Sequence, residues 1–264
     1  MNSGKSSESQ NINKFPQVIV GGIATVSCTG TELANQMVHD CLESRKHPGE
    51  TAPKLVFCTN GQGIALAGRS VSHMQDMSNA DYVYADGMSV VFASRKTQFP
   101  LPERISTTDF FHDASIVAEQ NDLRYYLLGS SEEQNSAAVA QINKQYPGVS
   151  IVGRFTGKVG VDFDEAICAE IRECKPDVLW VALGKPLQEQ WCVRNQDRLH
   201  GVGWVIPCGG LYAFLAGDVP RAPSWMQQIG IEWLFRLAGD PKRLFWRYFW
   251  TNPYSFWRLF RHTR

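Results

Sequence analysis

The stretch VLWVALGKPLQEQW, residues 178–191, decides how this chain folds. It begins with six apolar residues, Val178–Leu183, and continues through Gly184 and Pro186 into a mixed polar and aromatic segment of helical length. An unbroken apolar run of this length is typical of a strand that is buried on both faces, and proline is favoured in the first turn of a helix. The stretch therefore predicts a β-strand that leads directly into an α-helix.

The same order of strand and helix repeats along most of the chain. The predicted strands are Val18–Gly21, Lys54–Cys58, Tyr82–Tyr84, Arg124–Leu128, Ser150–Val152, Val178–Leu183 and Val202–Pro207. The predicted helices are Thr31–Glu43, Ile64–Met77, Met88–Ser94, Asp109–Glu119, Glu132–Tyr146, Asp164–Cys174 and Pro186–Asn195. Alternation of this kind predicts an α/β fold, with a mainly parallel, Rossmann-like sheet and helices on both of its faces.

Three regions of the chain differ in composition. Residues 1–16 are polar and predict a disordered N-terminal tail. Residues 17–220 carry the alternating pattern and predict a single α/β core. Residues 221–264 are rich in basic and aromatic residues and predict a helical C-terminal appendage.

The appendage has the composition of a membrane-surface helix. The chain has no net charge, yet residues 241–264 hold six lysine or arginine residues, no acidic residue and nine of the 30 aromatic residues. Helices of this type place rings at headgroup depth and bases against phosphates, which predicts peripheral contact with an anionic membrane. Packing on the core and contact with a second copy of the chain are the alternatives. Nucleic-acid binding is disfavoured because the rest of the chain is acidic.

The cysteines and histidines form no metal-binding or disulfide pattern. The seven cysteines include no C-x-x-C pair and the six histidines no H-x-x-x-H pair, so we expect reduced thiols in a cytoplasmic protein and no metal site. Asp162 and Asp164 form a D-x-D pair, but they stand at a predicted helix start, where aspartate is favoured as a cap or dipole partner.

Candidate functional residues follow the strands, because ligands of parallel sheets bind at the carboxyl ends of strands. Asp86 in ADYVYADGMSV is either a catalytic base or a helix N-cap or turn aspartate before glycine. Asn60 in CTNGQG either binds a sugar or phosphate or forms a turn. Neither G-x-G-x-x-G nor G-x-x-x-x-G-K-[ST] is present, which disfavours hydride transfer and P-loop chemistry.

The helix start after Gly184 is a candidate diphosphate site. Free N–H groups and the positive end of the helix dipole favour an anion there. Gln188 would add a side-chain donor and acceptor, whereas Glu189 is expected only to complement the dipole.

An ordered series of motifs resembles the WecG/TagA/CpsF family of bacterial glycosyltransferases over roughly residues 17–252. The series comprises CTNGQG, ADGMSVVFASR, LPERISTTD, LLGS, YPGVSIVG, VALGKPLQEQW, CGGLYAFLAG, PRAPSW, GIEWLFRL and PKRLFWRY. The resemblance implies an inverting transfer of a sugar from a UDP-sugar to a polyprenyl-diphosphate-linked sugar, in the synthesis of a cell-surface polysaccharide. It further implies peripheral attachment to the inner face of the plasma membrane, self-association into a homo-oligomer, and neither a catalytic metal nor another cofactor.

The resemblance also implies roles for individual residues. Asp86 matches the general base of the family, Arg104 the arginine of its active-site pocket and Gln188 the glutamine of G-x-P-x-Q-E. Further substrate-binding residues are expected in the same motifs: Cys58, Asn60, Gly184, Gly209, Gly210, Arg221, Arg236, Arg243 and Arg247. Several of these arginines are alternatively lipid contacts.

Three positions depart from the usual motifs of the family. Cys58 stands where threonine is usual, Ala213 where aspartate is usual, and Thr107 where glycine is usual. Cys58 and Ala213 motivate an alternative function, a non-catalytic, membrane-associated subunit of a polysaccharide assembly complex.

Overall fold

The computed structural model describes residues 15–264, and residues 1–14 of the predicted tail lie outside the described residues. The strands are β1 Gln17–Val20, β2 Ile23–Val26, β3 Lys54–Thr59, β4 Tyr82–Ala85, β5 Arg124–Gly129, β6 Ser150–Phe155, β7 Val178–Ala182 and β8 Trp204–Pro207. The helices are α1 Gly30–Lys46, α2 Gly61–Arg69, α3 Val71–Ser78, α4 Met88–Ser94, α5 Thr107–Gln120, α6 Glu132–Gln145, α7 Val161–Cys174, α8 Leu187–Asn195, α9 Leu211–Leu215, α10 Ser224–Gln228, α11 Glu232–Gly239 and α12 Pro241–Arg261.

Six strands form one sheet in which all neighbours are parallel. The strand order is β4-β3-β8-β7-β5-β6. The chain leaves β3 towards β4 on one side, then crosses to β5 on the other side and returns to β8, which lies beside β3. The loops that follow β3 and β8 therefore diverge, and this is where an open parallel sheet forms its ligand crevice.

Helices cover both faces of the sheet, as predicted. Val56 and Cys58 of β3 join the hydrophobic cluster that contains residues of α1, α5, α6 and α9. Leu55 and Phe57 point to the opposite face, into the cluster with residues of α2, α4, α7 and α8. Each fully buried aliphatic or aromatic side chain contributes about 1.5–3 kcal/mol, so the two clusters hold the strand ends, and the loops that follow them, in fixed positions.

Two elements differ from their predictions. The predicted strand Val18–Gly21 pairs with β2 in a separate antiparallel hairpin rather than with the sheet, because Gly21 and Gly22 adopt positive φ values of 59° and 89° and turn the chain back. The predicted helix Ile64–Met77 is two helices, α2 and α3. Ser70 has an extended backbone between them, and its hydroxyl accepts a hydrogen bond from the N–H of His73.

Helix α12 lies against the core through one face and exposes the other. Leu244, Ser255 and Leu259 are buried, and the helix packs on α2 and α4. Leu244 faces inward, whereas Phe249 is 54 % exposed. Within residues 15–264, no helix is both long and apolar enough to cross a membrane.

Candidate functional site

Asp86 lies at the carboxyl end of β4, beside the end of β3. Its backbone N–H donates to the carbonyl of Thr59 at 2.8 Å. Its Oδ1 accepts from the backbone N–H of Thr107, the first residue of α5, at 3.2 Å, and its Oδ2 accepts from Asn60 Nδ2 at 3.3 Å. Gly87, not Asp86, occupies the N-cap position of α4. The carboxylate is thus fixed by two strand ends and a neighbouring helix.

The surroundings of Asp86 adjust its basicity. Burial raises the pKa of the Asp86 carboxyl above its usual value, while the guanidinium groups of Arg104 and Arg236 and the Thr107 N–H act in the opposite direction. A general base works best when its pKa lies closer to the operating pH than that of an ordinary aspartate. The raised pKa makes the Asp86 carboxylate a stronger base than an ordinary aspartate carboxylate.

Asn60 has the turn-forming role that was one of its two predicted alternatives, and it also contacts Asp86. Its Oδ1 accepts from the N–H of Gly63 at 3.1 Å and so caps α2, while its Nδ2 holds Asp86. Cys58, two residues earlier, is buried at the end of β3, and burial raises the pKa of its thiol to about 11. The thiol is therefore neutral at physiological pH.

Arg104 and Arg221 both contact Gln227, which lies in α10. Arg104 Nη2 and Arg221 Nη2 both donate to Gln227 Oε1, at 2.9 and 3.0 Å. Arg221 also forms an ion pair with Asp109, and this pairing helps to hold the pKa of Asp109 below its usual value although burial opposes it. The Ser106 hydroxyl, which caps α5, donates to Asp109 Oδ2 at 2.6 Å.

Arg236 reaches the same region from α11. Its guanidinium lies over the ring of Phe214 at 5.0 Å from the ring centre, and its Nε is 3.6 Å from Glu232 Oε1. The other oxygen of Glu232 accepts from Arg104 Nη1 at 2.8 Å. The Glu232 carboxylate therefore bridges two guanidinium groups.

The two remaining candidate arginines contact other groups. Arg243 is 75 % exposed in its side chain, and its Nε donates to Asp240 Oδ2 at 2.6 Å. Arg247 Nη2 donates to the hydroxyl of Tyr248 at 3.1 Å.

Gln188 is buried and joins two loops at the carboxyl end of the sheet. Its Oε1 accepts from the backbone N–H of Gly184 at 3.1 Å and from that of Gly209 at 3.0 Å. Both glycines have positive φ, 77° and 55°, which a residue with a Cβ rarely adopts. The Gln188 side chain thus fixes the loops after β7 and β8, and exposed Gly210 begins α9 directly after them.

A buried ion pair lies next to Gln188. Lys185 Nζ donates to Glu189 Oε1 at 2.5 Å and to the carbonyl of Cys58 at 3.0 Å, and the two side chains are 8 % and 0 % exposed. Gln188 Nε2 donates to the same Glu189 oxygen at 3.0 Å. Glu189 was expected only to complement the helix dipole, but it connects α8 to the end of β3.

One residue of the D-x-D pair, Asp164, has a structural role. Asp164 is buried in the first turn of α7 and accepts from Trp191 Nε1 at 2.8 Å and from Arg194 Nε at 2.6 Å, which joins α7 to α8. Within the part of the chain that the structure describes, no three His, Cys, Asp or Glu side chains come together as a metal-binding group.

The polar residues at the site that were not predicted include Asp109, Gln227 and Glu232. A local signal existed for two of them. Asp109 stands three residues after Ser106, the spacing of a capping pair, and Glu232 stands four residues before Arg236, the spacing of a helical ion pair. Gln227 has no such signal. Its partners Arg104 and Arg221 lie outside α10, so no helical spacing of three or four residues joins them to Gln227.

Similarity to known proteins agrees with the motifs and the fold. A family model described as the glycosyl transferase WecG/TagA/CpsF family matches residues 20–264. An N-acetylglucosaminyldiphosphoundecaprenol N-acetyl-beta-D-mannosaminyltransferase of Bacillus subtilis (strain 168) is 34% identical over 190 residues, which cover 71% of this chain and 73% of the relative. The enzyme of the same name from Staphylococcus aureus (strain MW2) is 27% identical over 224 residues, which cover 84% of this chain and 87% of the relative. The chain belongs to the glycosyl transferase WecG/TagA/CpsF family.

Proposed function

We propose that this protein is an inverting glycosyltransferase that moves a sugar from a UDP-sugar to a polyprenyl-diphosphate-linked sugar during synthesis of a cell-surface polysaccharide. The transferase class follows from the family, and the names of the relatives support a lipid-diphosphate-linked acceptor. The observation that carries the proposal is a carboxylate, Asp86, fixed by Asn60 and Thr107 at a crevice that also gathers arginine side chains.

Asp86 is proposed as the general base. It accepts the proton of the acceptor hydroxyl while that oxygen attacks the anomeric carbon of the donor sugar. The bond between the anomeric carbon and the diphosphate oxygen breaks in the same step, and UDP leaves with the electron pair. Attack from the face opposite the leaving group inverts the anomeric configuration.

The departing diphosphate needs positive charge close to it. We assign this role to Arg104, Arg221 and Arg236, whose guanidinium groups are fixed donors that match phosphate geometry. Such preorganised donors stabilise the charge that develops in the transition state. Arginines at these positions would serve in place of a divalent metal ion, which makes transfer insensitive to EDTA.

Gln188 acts by positioning in this proposal. Its amide oxygen holds the loops that carry Gly184 and Gly209, so that both loops keep the shape of the donor site. Cys58 and Gly210 border the same site at the ends of β3 and β8.

The outer face of α12 is proposed to rest on the inner face of the plasma membrane, where the lipid-linked acceptor lies. Seven aromatic residues on this face are 49–77 % exposed: Phe245, Trp246, Phe249, Trp250, Phe256, Trp257 and Phe260. Exposed Lys242, Arg243 and Arg261 flank them and can pair with anionic headgroups. The donor nucleotide is cytoplasmic in this scheme.

The decisive experiment is the Asp86→Asn variant. The amide keeps the size of the side chain but cannot accept the proton, so we expect UDP release to fall by about 100-fold or more, while UDP affinity stays within a factor of about two. Wild type and variant are incubated with a panel of UDP-sugars and a polyprenyl-diphosphate acceptor, with and without EDTA, and UDP is measured by mass spectrometry.

Two results would contradict the proposal. A variant that keeps its full rate removes Asp86 from the mechanism. Absence of UDP release from the wild type with every donor, together with binding to a partner transferase, favours the non-catalytic subunit instead.

A further inference from the structure

The arginines around Asp86 are occupied by the protein's own acceptors. Glu232 is central, because one of its oxygens accepts from Arg104 at 2.8 Å and the other lies 3.6 Å from Arg236. A carboxylate with one oxygen towards each of two guanidinium groups has the arrangement that a diphosphate would adopt between them.

The charges at the site are already balanced without a substrate. Three guanidinium groups interact with three carboxylates. The guanidinium groups belong to Arg104, Arg221 and Arg236, and the carboxylates belong to Asp86, Asp109 and Glu232. A UDP diphosphate adds about two negative charges and needs the N–H donors that Glu232 and Gln227 now use. A diphosphate at this site therefore competes with the protein's own acceptors for these donors.

Glu232 is better able to withdraw than Asp109. Asp109 lies on α5, which packs in the core, and it also accepts a hydrogen bond from the Ser106 hydroxyl. Glu232 lies on α11, and neither α10 nor α11 contains a fully buried residue. The only side chains that the structure pairs with Glu232 among residues 15–264 are Arg104 and Arg236. Little apolar packing opposes a shift of this segment.

We propose that Glu232 is a resident anion that competes with the substrate diphosphate for Arg104 and Arg236. Its carboxylate leaves the guanidinium groups when the UDP-sugar binds and returns to them when UDP departs. Glu232 thereby lowers the affinity for the diphosphate and promotes release of the product. This inference rests on the proposed function, since it assigns the diphosphate to these arginines.

The Glu232→Gln variant tests the inference by the sign of its effect. Removing the competing charge leaves both arginines available, so UDP and inorganic pyrophosphate should bind about tenfold more tightly, the size of one charge-assisted hydrogen bond. Dissociation of UDP, followed by stopped-flow fluorescence, should slow by a similar factor. Isothermal titration calorimetry measures both affinities, and Glu232→Ala gives a second variant with the same expected sign.

A matched control removes the same charge elsewhere. Glu165 on α7 contacts Arg172 and Arg198, each at 3.2 Å, and lies on an exposed surface. Glu165→Gln should leave both affinities unchanged. Circular dichroism confirms that each variant is folded.

The opposite results overturn the inference. Equal or weaker binding of UDP and pyrophosphate by Glu232→Gln would mean that Glu232 orients Arg104 for the substrate instead of competing with it. Lack of measurable binding by wild type and variants would also overturn it. A wild type that binds both ligands but transfers no sugar would refute the proposed function alone, and the comparison of affinities would still decide the role of Glu232.

Discussion

Lys185 and Glu189 show how single residues hold the site together. Their ion pair is almost fully buried, and it extends through the Cys58 carbonyl to β3 and through Gln188 to the loops after β7 and β8. Burial lowers the pKa of the Lys185 ammonium, but its negatively charged surroundings, including Glu189, outweigh burial, so the lysine keeps its charge. Charged groups in this position are stable only as a pair.

Lys185→Met should therefore destabilise the protein strongly. The substitution leaves the Glu189 carboxylate buried without its counter-charge, which costs about 3–5 kcal/mol. Urea unfolding followed by tryptophan fluorescence measures the loss, and the exposed residue Lys158 provides the control Lys158→Met. The double variant Lys185→Met/Glu189→Gln should recover part of the stability. An unfolding midpoint for Lys185→Met equal to that of the control would contradict the structural role of the pair.

Sequence position located Asp86 and Asn60 but not the buried contacts of Gln188 and Glu189. A polar residue directly after an apolar strand lies at the carboxyl edge of a parallel sheet, so Asp86 and Asn60 could be placed from the sequence. The partners of Glu189 and Gln188 depend on which strands are adjacent. Lys185 reaches Cys58 across 127 positions of sequence, and no local pattern indicates such a contact.

At the level of elements, α12 differs between its two faces. The inner face carries buried Leu244 and Leu259, whereas the outer face exposes seven aromatic rings. The sequence predicted a basic and aromatic helix here. It did not indicate which residues face inward, because Leu244 and its neighbour Phe245 are both apolar. Packing against α2 decides the orientation.

Substitution of outer-face aromatics tests the proposed membrane contact without disturbing the inner face. Trp246, Trp250 and Trp257 are 62, 58 and 51 % exposed, and their joint replacement by serine removes rings that would enter the headgroup region. We expect binding to phosphatidylglycerol vesicles to weaken at least about tenfold. Vesicle sedimentation measures it, and Phe163→Ser on α7, where the ring is 46 % exposed, is the control. Equal vesicle binding by the triple variant would refute the assignment of this face.

At the scale of the whole molecule, the two ends of the described chain meet. Ile19 and Arg264 exchange backbone hydrogen bonds of 3.2 and 2.9 Å, and Arg258 Nε donates to the carbonyl of Gly21 at 3.1 Å. Helix α12 therefore connects the β1–β2 hairpin at one end with α11, which carries Glu232, at the other. The proposed membrane contact on α12 lies one helix away from the proposed diphosphate site.

Removal of residues 241–264 should consequently destabilise the core as well as abolish membrane binding. The deletion uncovers the surfaces that bury Leu244 and Leu259, and each buried aliphatic side chain contributes about 1.5–3 kcal/mol, so about 3–6 kcal/mol is lost. Thermal unfolding is measured for the truncated chain and for the triple tryptophan variant. The comparison separates the contribution of the helix to stability from its proposed membrane binding. The triple variant should unfold near the wild-type temperature and the truncated chain well below it. A truncated chain as stable as the wild type would mean that α12 is an independent attachment, because its inner face would then contribute nothing to the fold.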